Sequence, residues 1–284
     1  MIVRQFVSSA WQKEGKMANL KTLTCEIYTD KLKKEEQPLR IVMLADLHDR
    51  LWGTRQSQLL DAVDAFSADM VLCAGDMVLG HEKAGMEHAF LLFEGLAKRN
   101  YFVVAANGNH ESRMRQLPEA YGVQYGRYAG RLKELGVHIP VNEAVETRHG
   151  SMRIRIYGYE MPLVYYKKFC IRPYHGEDLY KKLDLPEEGA FHILMAHNPV
   201  YFRQYADWGA DLTLAGHLHG GMIRIPGIGG LITPQARLFP RYDRGLYERD
   251  GKYMVVSPGL GEHTIRIRIC NPPCLVGIII KGTG

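Results

Sequence analysis

The chain has 284 residues, of which 46% are hydrophobic and 24% charged, and a formal net charge of +5. These values exclude a disordered or fibrous chain and suit one large α/β domain with a buried core. The mild positive balance favours anionic substrates, but it falls short of the dense basic clustering of a dedicated nucleic-acid binder.

The N-terminal segment carries Arg4, Gln5, Ser8 and Ser9 where a signal's apolar core would lie, and no stretch of the chain offers the ~20 apolar residues of a membrane span. The expectation is a cytoplasmic protein, with peripheral attachment to a membrane left open. Five cysteines, none in Cys-x-x-Cys spacing, read as free thiols, including the Cys270 and Cys274 pair.

Residues 1–38 read as an N-terminal extension with a leading strand, and 39–284 as one catalytic domain. Strand-length apolar runs follow at Leu39–Ala45, Met70–Ala74 and Phe102–Ala106, separated by helical patterns over Gln56–Phe66, Ala84–Lys98 and Glu119–Leu135. Strand, helix, strand in that order predicts a parallel α/β arrangement. Further runs at Met152–Tyr157, Phe191–Ala196, Leu212–Ala215, Lys252–Ser257, Ile265–Ile269 and Leu275–Ile280 have little helix between them beyond Val200–Trp208. They predict a second, partly antiparallel sheet packed on the first. Residues 161–189, rich in Tyr, Lys and Arg, read as a lid-like insertion.

Polar clusters close five of these runs, where open α/β sheets place their sites. They are Asp46-Leu-His48, Gly75-Asp76, Gly108-Asn109-His110-Glu111, His197, and Gly216-His217-Leu-His219-Gly220. Each alone is weak, because a lone Asp-x-His is most often a solvated strand end. Together they point to a metal site of carboxylate, amide and imidazole donors without thiolate, which suits manganese, iron, zinc, nickel or magnesium. Seven candidate ligands exceed what one tetrahedral ion needs and fit two ions sharing a carboxylate.

This ordered series resembles the calcineurin-like metallophosphoesterases. Within that superfamily it is similar to bacterial YkuE-type phosphodiesterases, which also have the Gly216–Gly221 segment, a following apolar strand with a Pro-Gly loop, Gly259-Leu260-Gly261, and a basic strand with an Asn-Pro turn. The resemblance implies a four-layer α-β-β-α sandwich of two mixed sheets. It assigns Asp46, His48 and His219 to one metal and Asn109, His197 and His217 to the other, with Asp76 bridging and His110 catalytic. The expected activity is hydrolysis of a phosphate ester, a diester more than a monoester, by a metal-bound hydroxide with His110 as general acid. Manganese is the favoured metal, and a small-molecule or lipid-type ester the expected substrate. A nuclease and a non-catalytic scaffold are the alternatives; the first lacks an appended DNA-binding module here, and the second would have lost ligands that this chain keeps. Glu111 reads as a helix-start acid rather than a support for His110.

Overall fold

Strands buried on both faces set the architecture. The computed structural model of the chain describes residues 5–8, 20–81, 85–167, 172–221, 223–225, 229–233, 238–262 and 268–283. Among them the strands are β1 (Gln5–Ser8), β2 (Lys21–Thr29), β3 (Leu39–Leu44), β4 (Met70–Ala74), β5 (Phe102–Ala106), β6 (Glu143–His149), β7 (Met152–Gly158), β8 (Ala190–Met195), β9 (Leu212–Ala215), β10 (Ile223–Ile225), β11 (Gly229–Ile232), β12 (Gly245–Arg249), β13 (Lys252–Val256) and β14 (Cys274–Gly282). The α-helices are α1 (Ser57–Phe66), α2 (Glu87–Lys98), α3 (Asn109–Gln116), α4 (Pro118–Tyr121), α5 (Gln124–Glu134), α6 (Glu177–Lys182) and α7 (Phe202–Trp208).

Two six-stranded sheets result, in the orders β1-β2-β14-β3-β4-β5 and β12-β13-β9-β8-β7-β6, beside a separate β10-β11 hairpin. Strands β3, β4 and β5 run parallel, as do β7, β8, β9 and β13, while β14 is antiparallel to β3 and parallel to β2. Both sheets are therefore mixed. Between them lie Ile41, Met43, Leu72, Val104, Ile154, Ile193, Leu214 and Val255. The opposite face of the first sheet, with Val42, Leu44, Val71 and Val103, meets Leu59 and Val63 of α1 and Leu92 and Phe93 of α2. Beyond the second sheet, Tyr157 and Leu194 pack with Leu179 of α6 and with Tyr205 and Trp208 of α7. Strands covered on both faces have no polar side to show, so β4, and β3 from Ile41 on, read as unbroken apolar runs.

Strands β6 and β12 carry no such run and escape expectation, while β2 lies in the 1–38 segment where a leading strand is expected. β2 largely alternates buried and half-buried residues, β6 is an edge strand with no fully buried residue, and β12 is short and ends in charge. The expected helix 119–135 divides into α4 and α5 at Gly122, whose φ of 57° leaves the helical region. The expected strand Ile265–Ile269 falls mostly outside the described residues, although Ile269 bridges Ile223. Cys25, Cys73, Cys270 and Cys274 are free thiols. Among the described residues no helix is long and apolar enough to cross a membrane.

The segment 161–189 contributes a 3₁₀ turn at Leu163–Tyr166 and helix α6, while Lys168–Ile171 lie outside the described residues. Tyr166 and Tyr174 are buried in the apolar cluster that Tyr201 and Tyr205 also join, so these rings form part of the outer layer of the second sheet.

Candidate metal centre

Backbone pairing carries the strand ends into one pocket. Past β3, the amides of Asp46, His48 and Asp49 donate to the carbonyls of Gly75, Asp76 and Met77, each at 3.0 Å. The segments that follow β3 and β4 therefore travel together, and Asp46 and His48 face Asp76. From the other sheet, the amide of Gly216 donates to the carbonyl of His197 at 3.0 Å, and the amide of His217 donates to the Asp46 carboxylate at 3.1 Å. Asp76 Oδ1 accepts from the amide of His110, the second residue of α3, at 2.8 Å.

The side chains converge. Asp46, His48 and His219 offer donor atoms within 4.8 Å of one another, and so do His48, Asp76 and His110, and Asp76, His197 and His217. Asp46 Oδ1 lies 3.3 Å from His219 Nε2, and Asp76 Oδ2 lies 3.1 Å from His197 Nε2. His48 and His219 approach Nε2 to Nε2 at 3.2 Å with rings stacked 9° from parallel. All of these residues are buried, as is Asn109. The predicted aspartates and histidines are thus brought together, with Asn109 the chain neighbour of His110, whereas His88 and His192 bond backbone carbonyls of Asp49 and Glu187, and His263 is outside the described residues.

Two observations test whether cations fit. The Oδ1 of Asn109 and the Nε2 of His217 are buried without a hydrogen bond, which in so polar a pocket marks positions suited to a ligand. Glycine also clears the space: a Cβ on Gly108 would collide with the Asp76 carboxylate, and one on Gly216 would come within 2.5 Å of Asp46 Oδ2. The donor set fits divalent metal ions.

Charge in the pocket agrees. Burial pushes the Asp46 carboxyl up to about 7. Burial would raise Asp76 too, but charge on His197 and His110 outweighs it and holds that carboxyl well below the usual range. Desolvation opposes a charged His197, yet the carboxylates of Asp76 and Asp46 hold it up at about 10. His197 Nδ1 meets the Ala74 carbonyl at 2.7 Å, which assigns a proton to Nδ1 and turns Nε2 toward Asp76. Burial, then the neighbouring His197 and His48 respectively, keep His217 and His219 neutral, the form in which imidazole binds a metal.

Backbone strain is concentrated here. Asp46, His48, Asp76, His217 and His219 all adopt positive φ, between 48° and 69°. Left-handed geometry costs an L-residue roughly 1 kcal/mol or more. Five such positions in one pocket mean that the surrounding fold dictates where these side chains point.

Glu111 has a larger part than a helix-start acid. It is fully buried, and its carboxylate accepts from the amides of Asp76 at 3.0 Å, Met77 at 2.8 Å, Val78 at 3.2 Å and Gly108 at 2.9 Å. It therefore caps α3 and also clamps the loop that carries Asp76. Sequence reasoning also missed Tyr166, whose ring stands edge-on to His217 at 4.8 Å, and Asn271, whose amide donates to the carbonyls of His219 and Gly221 at 2.6 Å. Tyr166 is hidden in an aromatic-basic run that looks solvated. Asn271 was visible only as part of an Asn-Pro turn.

Paired mixed sheets with an Asp- and His-rich centre at their strand ends define a metal-dependent hydrolase class. The chain belongs to the calcineurin-like phosphoesterase family, whose model matches residues 39–221. It is 28% identical over 261 residues to an uncharacterised metallophosphoesterase of Aquifex aeolicus, covering 91% of this chain and 90% of that one. The YkuE metallophosphoesterase of Bacillus subtilis is 32% identical over 93 residues, about a third of either protein. Phosphodiesterase YaeI of Escherichia coli is 25% identical over 245 residues, 84% of this chain and 82% of that one.

Proposed function

We propose that the chain is a dinuclear metal-dependent phosphodiesterase. The carrying observation is the chain of three overlapping donor groups, joined through His48 and Asp76, in which Asp76 belongs both to the central group with His48 and His110 and to the outer group with His197 and His217. Asp46, His48 and His219 would hold one ion, Asn109, His197 and His217 the other, and Asp76 would bridge them, with manganese the favoured metal. Divalent ions in such a centre polarise a phosphoryl group and lower the pKa of a water from ~15.7 toward ~7.

The protein's own groups do the rest. His110 Nδ1 accepts from the amide of Gly80 at 2.7 Å, so its proton resides on Nε2, which faces Asp76 Oδ2 at 3.8 Å. That proton is placed for delivery to the departing ester oxygen, a transfer worth typically ~10²–10⁴ in rate. Tyr166 shields His217 from water on the lid side. Glu111 fixes the Asp76 loop and so fixes the bridge. A diester preference is supported by the name of the E. coli relative, a phosphodiesterase.

Metal analysis and a hydrolysis panel test this reading. Bis-p-nitrophenyl phosphate, p-nitrophenyl phosphate, cyclic nucleotides, phospholipids and single-stranded DNA are assayed with manganese, nickel, zinc and magnesium in turn. The expected result is two equivalents of metal, reduced to one or none in Asp76→Asn, and faster turnover of the diester than of the monoester. No turnover with any metal, or one equivalent that Asp76→Asn leaves intact, would overturn it.

A further inference from the structure

Beside the metal centre lies a cleft of about 540 Å³ whose floor is Leu218, the residue between His217 and His219. Arg172, Arg203 and Arg241 line it with Tyr201 and Tyr242, and none of the lining residues is acidic. Among the described residues the Arg172 and Arg241 side chains make no ion pair, and Arg203 meets only the exposed Asp207 at 3.5 Å. The Arg241 guanidinium lies 5.2 Å over the ring of Tyr242, and the Tyr201 hydroxyl donates to the Arg172 carbonyl at 3.2 Å. Tyr201 in turn packs against Tyr165, next to the Tyr166 that abuts His217. The cleft and the metal centre are thus linked through Leu218 and through the contacts that run from Tyr201 by way of Tyr165 and Tyr166 to His217.

We propose that this cleft is a subsite for a second anionic group of the substrate, a phosphate or a carboxylate, gripped by Arg172 and Arg241 with help from Arg203. Guanidinium groups bind such oxyanions through paired, charge-assisted hydrogen bonds. Arg172 and Arg241 face the cavity without a lining carboxylate to neutralise them and present uncompensated positive charge to whatever enters, with Arg203, paired to Asp207 at 3.5 Å, beside them. The metal centre would take the ester phosphate and the cleft the far end of the same molecule. The inference rests on the hydrolase reading and specifies its substrate class: esters that carry a second negative charge on the retained arm.

Three p-nitrophenyl phosphodiesters with one leaving group decide the matter; their other arms end in a carboxylate, a phosphate or a neutral amide. With the metal-loaded wild type, at least one anionic arm is expected to raise kcat/KM about tenfold over the amide, through KM, as one charge-assisted contact provides. The two anionic arms distinguish carboxylate from phosphate. In Arg172→Gln/Arg241→Gln the preference is expected to fall to near unity while hydrolysis of the amide arm is unchanged. No preference in the wild type, or a preference that survives the double substitution, would overturn the proposal. If no diester is hydrolysed at all, the hydrolase reading fails, and calorimetric binding of the matching phosphonates judges the cleft separately. About tenfold tighter binding of an anionic arm, lost in the double variant, supports the subsite, and equal affinities refute it.

Discussion

Glu111 accepts a hydrogen bond from the backbone amide of Asp76 at 3.0 Å, so the residue after the catalytic histidine candidate holds the residue proposed to bridge the metals. Glu111→Gln replaces one of the accepting oxygens with a donor that faces backbone N–H groups. A buried amide left without its acceptor costs about 1–3 kcal/mol, and disturbed supporting groups typically weaken metal affinity ~10–100-fold. Thermal denaturation and metal content after dialysis are expected to fall together. A variant that keeps full metal content and wild-type melting would show that the clamp is dispensable.

His110→Asn is expected to retain both metals and lose ~10²–10⁴ in turnover of an alkyl diester. The loss should be smaller for bis-p-nitrophenyl phosphate, whose leaving group needs less protonation. Loss of a metal instead would make His110 a ligand, as its place among the donors within 4.8 Å of His48 and Asp76 also permits.

Tyr166→Ala is expected to be severe, because the ring packs on His217 and in the outer cluster of the second sheet. Removing a buried aromatic side chain costs ~3–5 kcal/mol. Denaturant unfolding checks the stability, and metal retention checks whether His217 has been loosened. Similar retention in wild type and alanine variant would make the ring a packing element only.

Asp211 gives a pH-dependent signature away from the metals. Burial would raise its carboxyl, but Lys31 at 2.6 Å, the His192 amide at 2.8 Å and Lys252 at 2.9 Å leave it below its ordinary value. A depressed folded-state pKa contributes stability above the unfolded value of ~3.9, and that contribution drains away as pH falls through the folded value. The stability difference between wild type and Asp211→Asn is therefore expected to hold from pH 7 to about 5 and to shrink below about 4. A difference that stays constant to the acid limit would contradict this account.

The candidate site was legible because the parallel strands are apolar on both faces, so the polar residues that soon follow Ala45, Ala74, Ala106, Ala196 and Ala215 stand out against them. The same contrast revealed β3, β4, β5, β8 and β9. What stayed hidden depends on partners distant in sequence. β6 alternates charged and small residues like any exposed loop, and only its pairing with β7 makes it a strand. The reach of Glu111 to the Asp76 loop, and of Tyr166 to His217, spans 35 and 51 positions, respectively, and leaves no local pattern. Burial of Tyr166 likewise runs against the polarity of its neighbour Lys167.

Strand β14 lies inside the first sheet, between β2 and β3, with Val276 opposite Met43 and Ile280 opposite Leu39. A ribosome makes β3 some 230 residues before it makes this partner. During synthesis β3 waits with one edge open, and the Asp46 segment that follows it lacks half of its support. Closure of this long loop makes assembly a late, non-local event, so an active centre cannot mature on a nascent chain that has yet to expose Cys274–Gly282. A messenger cut short before Cys274 would yield a polypeptide that has every candidate ligand and no finished sheet to hold them.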